Sequence, residues 1–152
     1  MRFRQVSEVL QWAQLFHDSL AKDYETLAKD HEKDRVGMLL HYLAEHQRAL
    51  GLALQHYEED AQASVLNTWF NRVPKIGLPP DLNSLAKALE KLDTRGVLDL
   101  AITFHDALIH IYQTLAMQTS IPTIEALFQD LAGQETQEKI RTVRDALRLE
   151  DL

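Results

Sequence analysis

Two stretches of the chain carry the same polar side chains at the same spacing, FHDSLAKDYETLA at 16–28 and FHDALIHIYQTLA at 104–116. Each places a Tyr seven residues after a His, so His17 and Tyr24 are matched by His105 and Tyr112. A matched pair of imidazoles could ligate a metal ion or, if buried, hydrogen-bond within a polar layer. Asp18 and Asp106 follow the two His directly, about 100° further round a helix, so neither can easily orient its neighbour. Little other chemistry is written in the chain. With no Cys there are no disulfides, no thiol nucleophile and no thiolate metal site, and the redox compartment stays undetermined. No Gly-rich loop could cradle phosphate, GLPP at 77–80 reads as a turn, and there is no Gly-x-Ser-x-Gly elbow.

The elements that must position these residues are helices. Val9, Leu10, Ala13, Phe16, Leu20, Tyr24 and Leu27 recur at steps of three and four, with Ser7 available as N-cap. A second apolar run, Val36, Leu39, Leu40, Leu43, Leu50 and Leu54, fades into acidic HYEEDAQ. The third spans Val97 to Ala116 behind Asp93 or Thr94 as a cap. After the loop QTSIPT, Pro122 suits the first turn of a fourth helix, where its missing amide would be unbonded anyway. The fourth run shows Ile124, Leu127, Phe128, Leu131, Ile140, Val143 and Leu147. No alternating pattern of useful length appears, so the chain reads as all-α.

Sliding the sequence by 88 residues lays VLQWAQLFHDSLAKDYETLA (9–28) on VLDLAITFHDALIHIYQTLA (97–116) with 11 of 20 residues identical. The offset continues into the next run, where Val36 falls on Ile124, Leu39 on Leu127, and Leu43-Ala44 on Leu131-Ala132. Amphipathic helices share apolar spacing by chance, but a His and a Tyr in register point to an internal duplication of a helical hairpin. Two such hairpins, about 7–57 and 96–149, pack most simply as a four-helix bundle. The crossover, 58–95, is too long for a tight loop, and DLNSLAKALEKL within it reads as a short helix. A connection of that length can make helices two and three parallel. Trp69 and Phe70 within it read as a lid over one end of the core, or as an exposed partner surface.

Composition fits one domain of 152 residues, 45% hydrophobic and 26% charged. A net charge of −7 and a pI near 5.4 argue against nucleic acid or a membrane surface as partner. The N-terminal MRFRQVSEVLQWAQLF does not resemble a signal peptide, and no run approaches the length of a bilayer span. Cytoplasmic is the default expectation.

The duplicated hairpin, the long crossover, and Tyr followed by Leu-Ala in helices one and three resemble the ferritin-like superfamily, particularly rubrerythrin-like proteins. The resemblance implies a Glu seven residues before each Tyr and a Glu-x-x-His in helices two and four, together holding two iron or manganese ions. The first two positions fall on His17 and His105, the next pair on Gln47 and Leu50, and the last on Glu135 and Glu138. An ordinary di-iron carboxylate site needs more charge than that, so a degenerate centre is expected. His17, His105, Glu135 and Glu138 could instead hold a single divalent ion, Fe, Mn or Zn, with His46 or Gln47 as auxiliary ligand. The bland alternative is a polar core layer in which buried His, Tyr and Glu satisfy one another and fix the register of the hairpins. A further alternative takes Thr136, Ile140, Val143 and Leu147 as the inward stripe, which rotates Glu135 and Glu138 toward solvent. His41 and Glu45 also resemble the helix-two His-x-x-x-Glu of hemerythrin-like bundles, but no His follows His110 to complete that set.

Two function classes follow. One is a non-catalytic binding or regulatory protein, with a homodimer through a bundle face or the Trp69-Phe70 region among its forms. The other is a metal-binding protein or oxidoreductase-like enzyme using His17, His46, His105, Glu135 and Glu138, and a small ligand in the bundle core is open in either case.

Overall fold

The computed structural model describes residues 2–70, 76–77, 79–89 and 91–151. Among these, four long helices carry the fold: α1 (Val6–Ala28), α2 (Arg35–Asp60), α5 (Thr94–Gln118) and α6 (Pro122–Glu150). Two short ones, α3 (Ala63–Leu66) and α4 (Leu82–Lys87), lie in the crossover. The chain is all-α, as the apolar spacing predicts. Part of the expected crossover, 71–75 and residues 78 and 90, lies outside the described residues.

Helix starts follow side-chain chemistry. Asp34 and Asp93 accept from the amides of Gly37 and Gly96 at 2.9 and 2.8 Å, each satisfying one of the donors a helix leaves open at its first turn. Pro122 opens α6. The start of α1 differs from the expectation. Gln5 is the capping residue without a side-chain bond, and Ser7 lies inside the first turn. Glu8, in the first turn, accepts from the Arg4 amide just ahead of the helix at 2.8 Å. Between α1 and α2 the chain turns through a 3₁₀ segment, Lys29–His31. Gly37 permits that turn, because a Cβ there would lie 1.8 Å from the His31 carbonyl oxygen.

Tyr42 of α2 donates to Asp145 of α6 at 2.7 Å, and His46 meets Glu138 at 3.2 Å. Rising numbers on one helix pair with falling numbers on the other, so α2 and α6 are antiparallel. Each hairpin is itself antiparallel, which makes α2 and α5 parallel. The crossover therefore carries the chain from one end of the bundle to the other. It is tied to the start of the chain by two backbone bonds, Val6 amide to Thr68 carbonyl at 3.1 Å and Phe70 amide to Arg4 carbonyl at 2.9 Å. The expected lid is half present: Phe70 stacks on Phe128 with ring centres 6.1 Å apart, whereas Trp69 is 61% exposed.

The core has two apolar clusters. One gathers Leu10 and Ala13 of α1 with Leu108, Tyr112 and Leu115 of α5 and Phe128 and Leu131 of α6. The other gathers Leu20 and Tyr24 with Leu39, Leu40 and Leu43 of α2 and Leu100 and Phe104 of α5. Along each long helix the change from one cluster to the other comes at a buried polar residue: His17, Gln47, His105 or Glu135.

Candidate functional site: the polar layer and the groove beside it

His17 falls between Ala13 and Leu20 on the apolar stripe of α1, so the spacing that buries those residues buries the imidazole as well. The same holds for His105 between Ala101 and Leu108 of α5. Each ring is held by the opposite helix of its own hairpin, and in the same way. His17 Nδ1 lies 2.6 Å from Gln47 Oε1, and His105 Nδ1 lies 2.6 Å from Glu135 Oε1. The 88-residue offset carries one contact onto the other, with Gln exchanged for Glu. Across the hairpins, His17 Nε2 faces Glu135 Oε2 at 3.8 Å, too long for a hydrogen bond. Tyr112 is fully buried near Glu135. Burial first, and the glutamate charge second, push its hydroxyl above the ordinary phenol range. Tyr24, its counterpart, is pushed up by burial, and its hydroxyl is the one buried side-chain polar atom without a partner among the described residues.

The structure brings His17, His105 and Glu135 together and sets His46 and Glu138 apart. Glu138 has a side chain 14% exposed and accepts from Arg141 at 2.6 Å while meeting His46. This pair faces a groove between α2 and α6. Of the two orientations left open for these glutamates, Glu135 takes the inward one and Glu138 lies partly exposed at the groove. Ile140 and Leu147 are 57% and 52% exposed, and Glu135, Thr142 and Ala146 take the inward positions. His41, Glu45 and His110 are exposed, which removes the hemerythrin-like arrangement. Among the described residues, no three His, Asp or Glu side chains converge as a metal site requires.

The groove encloses about 390 Å³. From α2 it is lined by His46, Ala49, Leu50 and Ala53, and from α6 by Gln134, Gln137, Glu138 and Arg141. Each α6 residue is the 88-residue counterpart of one on α2, so matched positions of the two segments face each other across the groove. Its walls are unlike in chemistry, mostly small and apolar on α2 and long and polar on α6. Behind it a void of about 20 Å³ is lined by His17, Tyr112 and Glu135, and it shares Leu50, Ala53 and Gln134 with the groove. No sequence motif singles out Gln134, Gln137 or Arg141. The available signal was Ala49 and Ala53 aligning with Gln137 and Arg141, a small-against-large mismatch between otherwise matched helices.

No family profile and no curated protein matches the chain by sequence. A crystal structure from Thermotoga maritima, of a protein provisionally described as ferritin-like and diiron-carboxylate, superposes with a TM-score of 0.64 over 95% of each chain at 16% identity. The chain therefore has the ferritin-like fold. The two-ion centre of such bundles takes four carboxylates and two imidazoles from the four helices. The positions that the sequence resemblance assigns to them are His17, Gln47, Leu50, His105, Glu135 and Glu138. Leu50 has no donor atom, and one carboxylate, Glu135, is buried in the centre while the other is engaged in the groove. That set does not fit two metal ions, whose four charges a single buried carboxylate cannot neutralise.

Proposed function

We propose that this ferritin-like bundle is a non-catalytic binding protein that takes a small ligand into the groove between α2 and α6. The observation that carries the reading is the commitment of the central donors to one another. His17 is tied to Gln47 and His105 to Glu135, while a cavity of about 390 Å³ opens beside them. Cavities of a few hundred cubic ångströms with a mainly apolar wall and a few polar groups are the usual form of small-molecule sites. The contacts that repeat under the 88-residue offset support descent from a duplicated hairpin. The small side chains at 49 and 53, where the second half carries Gln137 and Arg141, leave room for a ligand. The test is a fragment screen by amide NMR. Shifts confined to 46–53 and 134–141, lost when Ala49→Trp fills the groove, are expected. A screen that moves no resonance there refutes ligand binding.

A second reading has its own observation. Two lone pairs, His17 Nε2 and Glu135 Oε2, face each other at 3.8 Å, and Gln47 steadies the far side of the His17 ring as outer-sphere partners of metal ligands do. This would make His17 and Glu135 two donors to one Fe, Mn or Zn ion, with His105 behind Glu135 as its hydrogen-bond partner and His46 and Glu138 as a separate pair in the groove. Elemental analysis of protein purified without chelators decides between the readings. Stoichiometric metal that disappears in the His17→Ala, His105→Ala double variant favours the ion. Metal-free protein whose Tm ignores added divalent ions favours the groove.

A further inference from the structure

Laying one hairpin on the other exposes a further difference, on the side of α6 that faces neither its own core nor the groove. We infer that this outer face is the interface with a second copy of the chain, α6 packing antiparallel on the partner's α6 about a twofold axis. Such an interface is independent of the ligand groove and goes beyond it.

The face is built on a heptad. Gly133, Ile140 and Leu147 follow one another at intervals of seven, and Thr136 and Val143 come three residues after the first two. That is the a and d spacing of a helix that packs along another helix. Gly133 is exposed, Ile140 and Leu147 are 57% and 52% exposed, and Thr136 and Val143 are half-buried. The Thr136 hydroxyl donates to the Ala132 carbonyl at 2.8 Å, so it brings no unmet donor to the seam. The matched positions of α2 carry Glu45, Arg48, Leu52, Gln55 and Glu59. That face is a solvated one, in which Arg48 pairs with Glu25 and Gln55 donates to Glu59 at 3.2 Å. The fold therefore does not require an apolar outer stripe, and the second hairpin has one.

Gly133 points to what covers the stripe. A glycine inside the 29-residue α6 costs stability relative to alanine. Nothing in the chain calls for it, since a Cβ built there meets no atom within 4 Å. A second helix resting on the bare backbone accounts for it. With the dyad midway between Thr136 and Ile140, residues equally distant from it meet. Gly133 then receives the partner's Val143 and Thr136 the partner's Ile140, large groups on small ones, while Leu147 lies along the partner's Gln129. The flanking charges agree. Exposed Asp130 comes beside the partner's Arg144, and symmetry makes the pair twice. Arg144 Nε is engaged by Asp145 at 3.1 Å, which leaves its terminal amino groups for the partner. On the other flank Lys139 nears its own copy, but each is already met by Asp106 at 2.6 Å. A parallel pair would instead set Lys139 against the partner's Arg144 and Glu125 against the partner's Asp130, like on like.

The experiment is analytical ultracentrifugation of the full chain over a range of concentrations. Ile140→Glu, Gly133→Leu, Arg144→Asp, the exchange Asp130→Arg with Arg144→Asp, and Leu52→Glu are run beside the wild type. Every substituted position is exposed, and folding of each variant is verified by its amide NMR spectrum. The expected result is a wild-type dimer whose dissociation constant rises at least tenfold in Ile140→Glu and in Gly133→Leu. It should stay unchanged in Leu52→Glu, which alters a leucine 53% exposed on the other hairpin. In dilute solution Gly133→Leu should keep or raise the urea midpoint, because the single chain has room for a Cβ there. Arg144→Asp should weaken the dimer and the exchange should restore it. A wild type that stays monomeric up to about 1 mM overturns the proposal and leaves the stripe to a helix of another protein. A dimer indifferent to Ile140→Glu, or weakened as much by Leu52→Glu, overturns it as well. A dimer lost in Ile140→Glu but indifferent to Gly133→Leu and to the charge variants overturns the antiparallel register.

Discussion

The two buried imidazoles differ in what their partners allow. Glu135, when ionised, can only accept, so it fixes His105 with its proton on Nδ1. Gln47 offers an oxygen and an amide nitrogen at the same reach, so turning its side chain end for end would exchange the tautomer of His17. Replacing Glu135 by Ala strands His105 in an apolar surround and should cost about 1–3 kcal/mol in urea unfolding. Glu135→Gln should cost clearly less, because a hydrogen bond is kept. Tyr24 gives the opposite sign. Its hydroxyl is buried and unpartnered, so Tyr24→Phe should raise stability by about 1 kcal/mol, measured as an increase in the urea midpoint at constant slope. At this scale the sequence was legible where the two halves agree, in His17, His105, Tyr24 and Tyr112. It was less legible where they differ, because a Gln in a helix gives no sign that it is buried.

At the level of elements, the pairing of α2 with α6 rests on few polar contacts, and one of them titrates. The Tyr42 hydroxyl, with help from Arg144 and Arg148, holds the Asp145 carboxyl below its usual range. A depressed carboxylate stabilises the fold above its unfolded pKa, and that contribution is lost as pH falls through the lower folded value. Tyr42→Phe should therefore move the Asp145 titration upward, followed by carboxyl NMR, and shrink the stability lost below about pH 4. Caps behave differently. Asp93→Ala should cost about 1 kcal/mol, whereas Ser7→Ala should cost little, since Ser7 does not cap α1. The second half of α6 was the element least readable in advance. Ile140 and Leu147, seven residues apart, suggest an inward face, yet small Ala146 and polar Thr142 and Glu135 occupy it. Apolar periodicity finds the buried face only where that face is apolar, and a helix that must supply a polar layer breaks the pattern at its most informative positions.

For the molecule as a whole, the polar layer divides the interior. Leu10 belongs to one apolar cluster and Leu40 to the other. Each is fully buried, so truncation to Ala should cost about 2–5 kcal/mol. If the bundle unfolds as one cooperative unit, the double variant should lose the sum to within about 0.5 kcal/mol. A biphasic transition would instead show that each end can melt alone. The four-helix arrangement and the parallel course of α2 and α5 were readable from the repeated segment and the length of the crossover. The groove was not, because it arises from unlike residues at matched positions and becomes visible when the two helices are laid side by side.

The crossover leaves its indole in water, while Trp12, stacked on Phe16 with ring centres 5.5 Å apart, is partly buried. Fluorescence from this chain is therefore two signals with different meanings. Emission from Trp69 sits near the solvent limit from the outset, and a red shift on denaturation comes from Trp12 alone. Detachment of the crossover from the first residues of the chain would pass unseen by wavelength. Quenching by iodide, by contrast, would report on Trp69 long before α1 gives way.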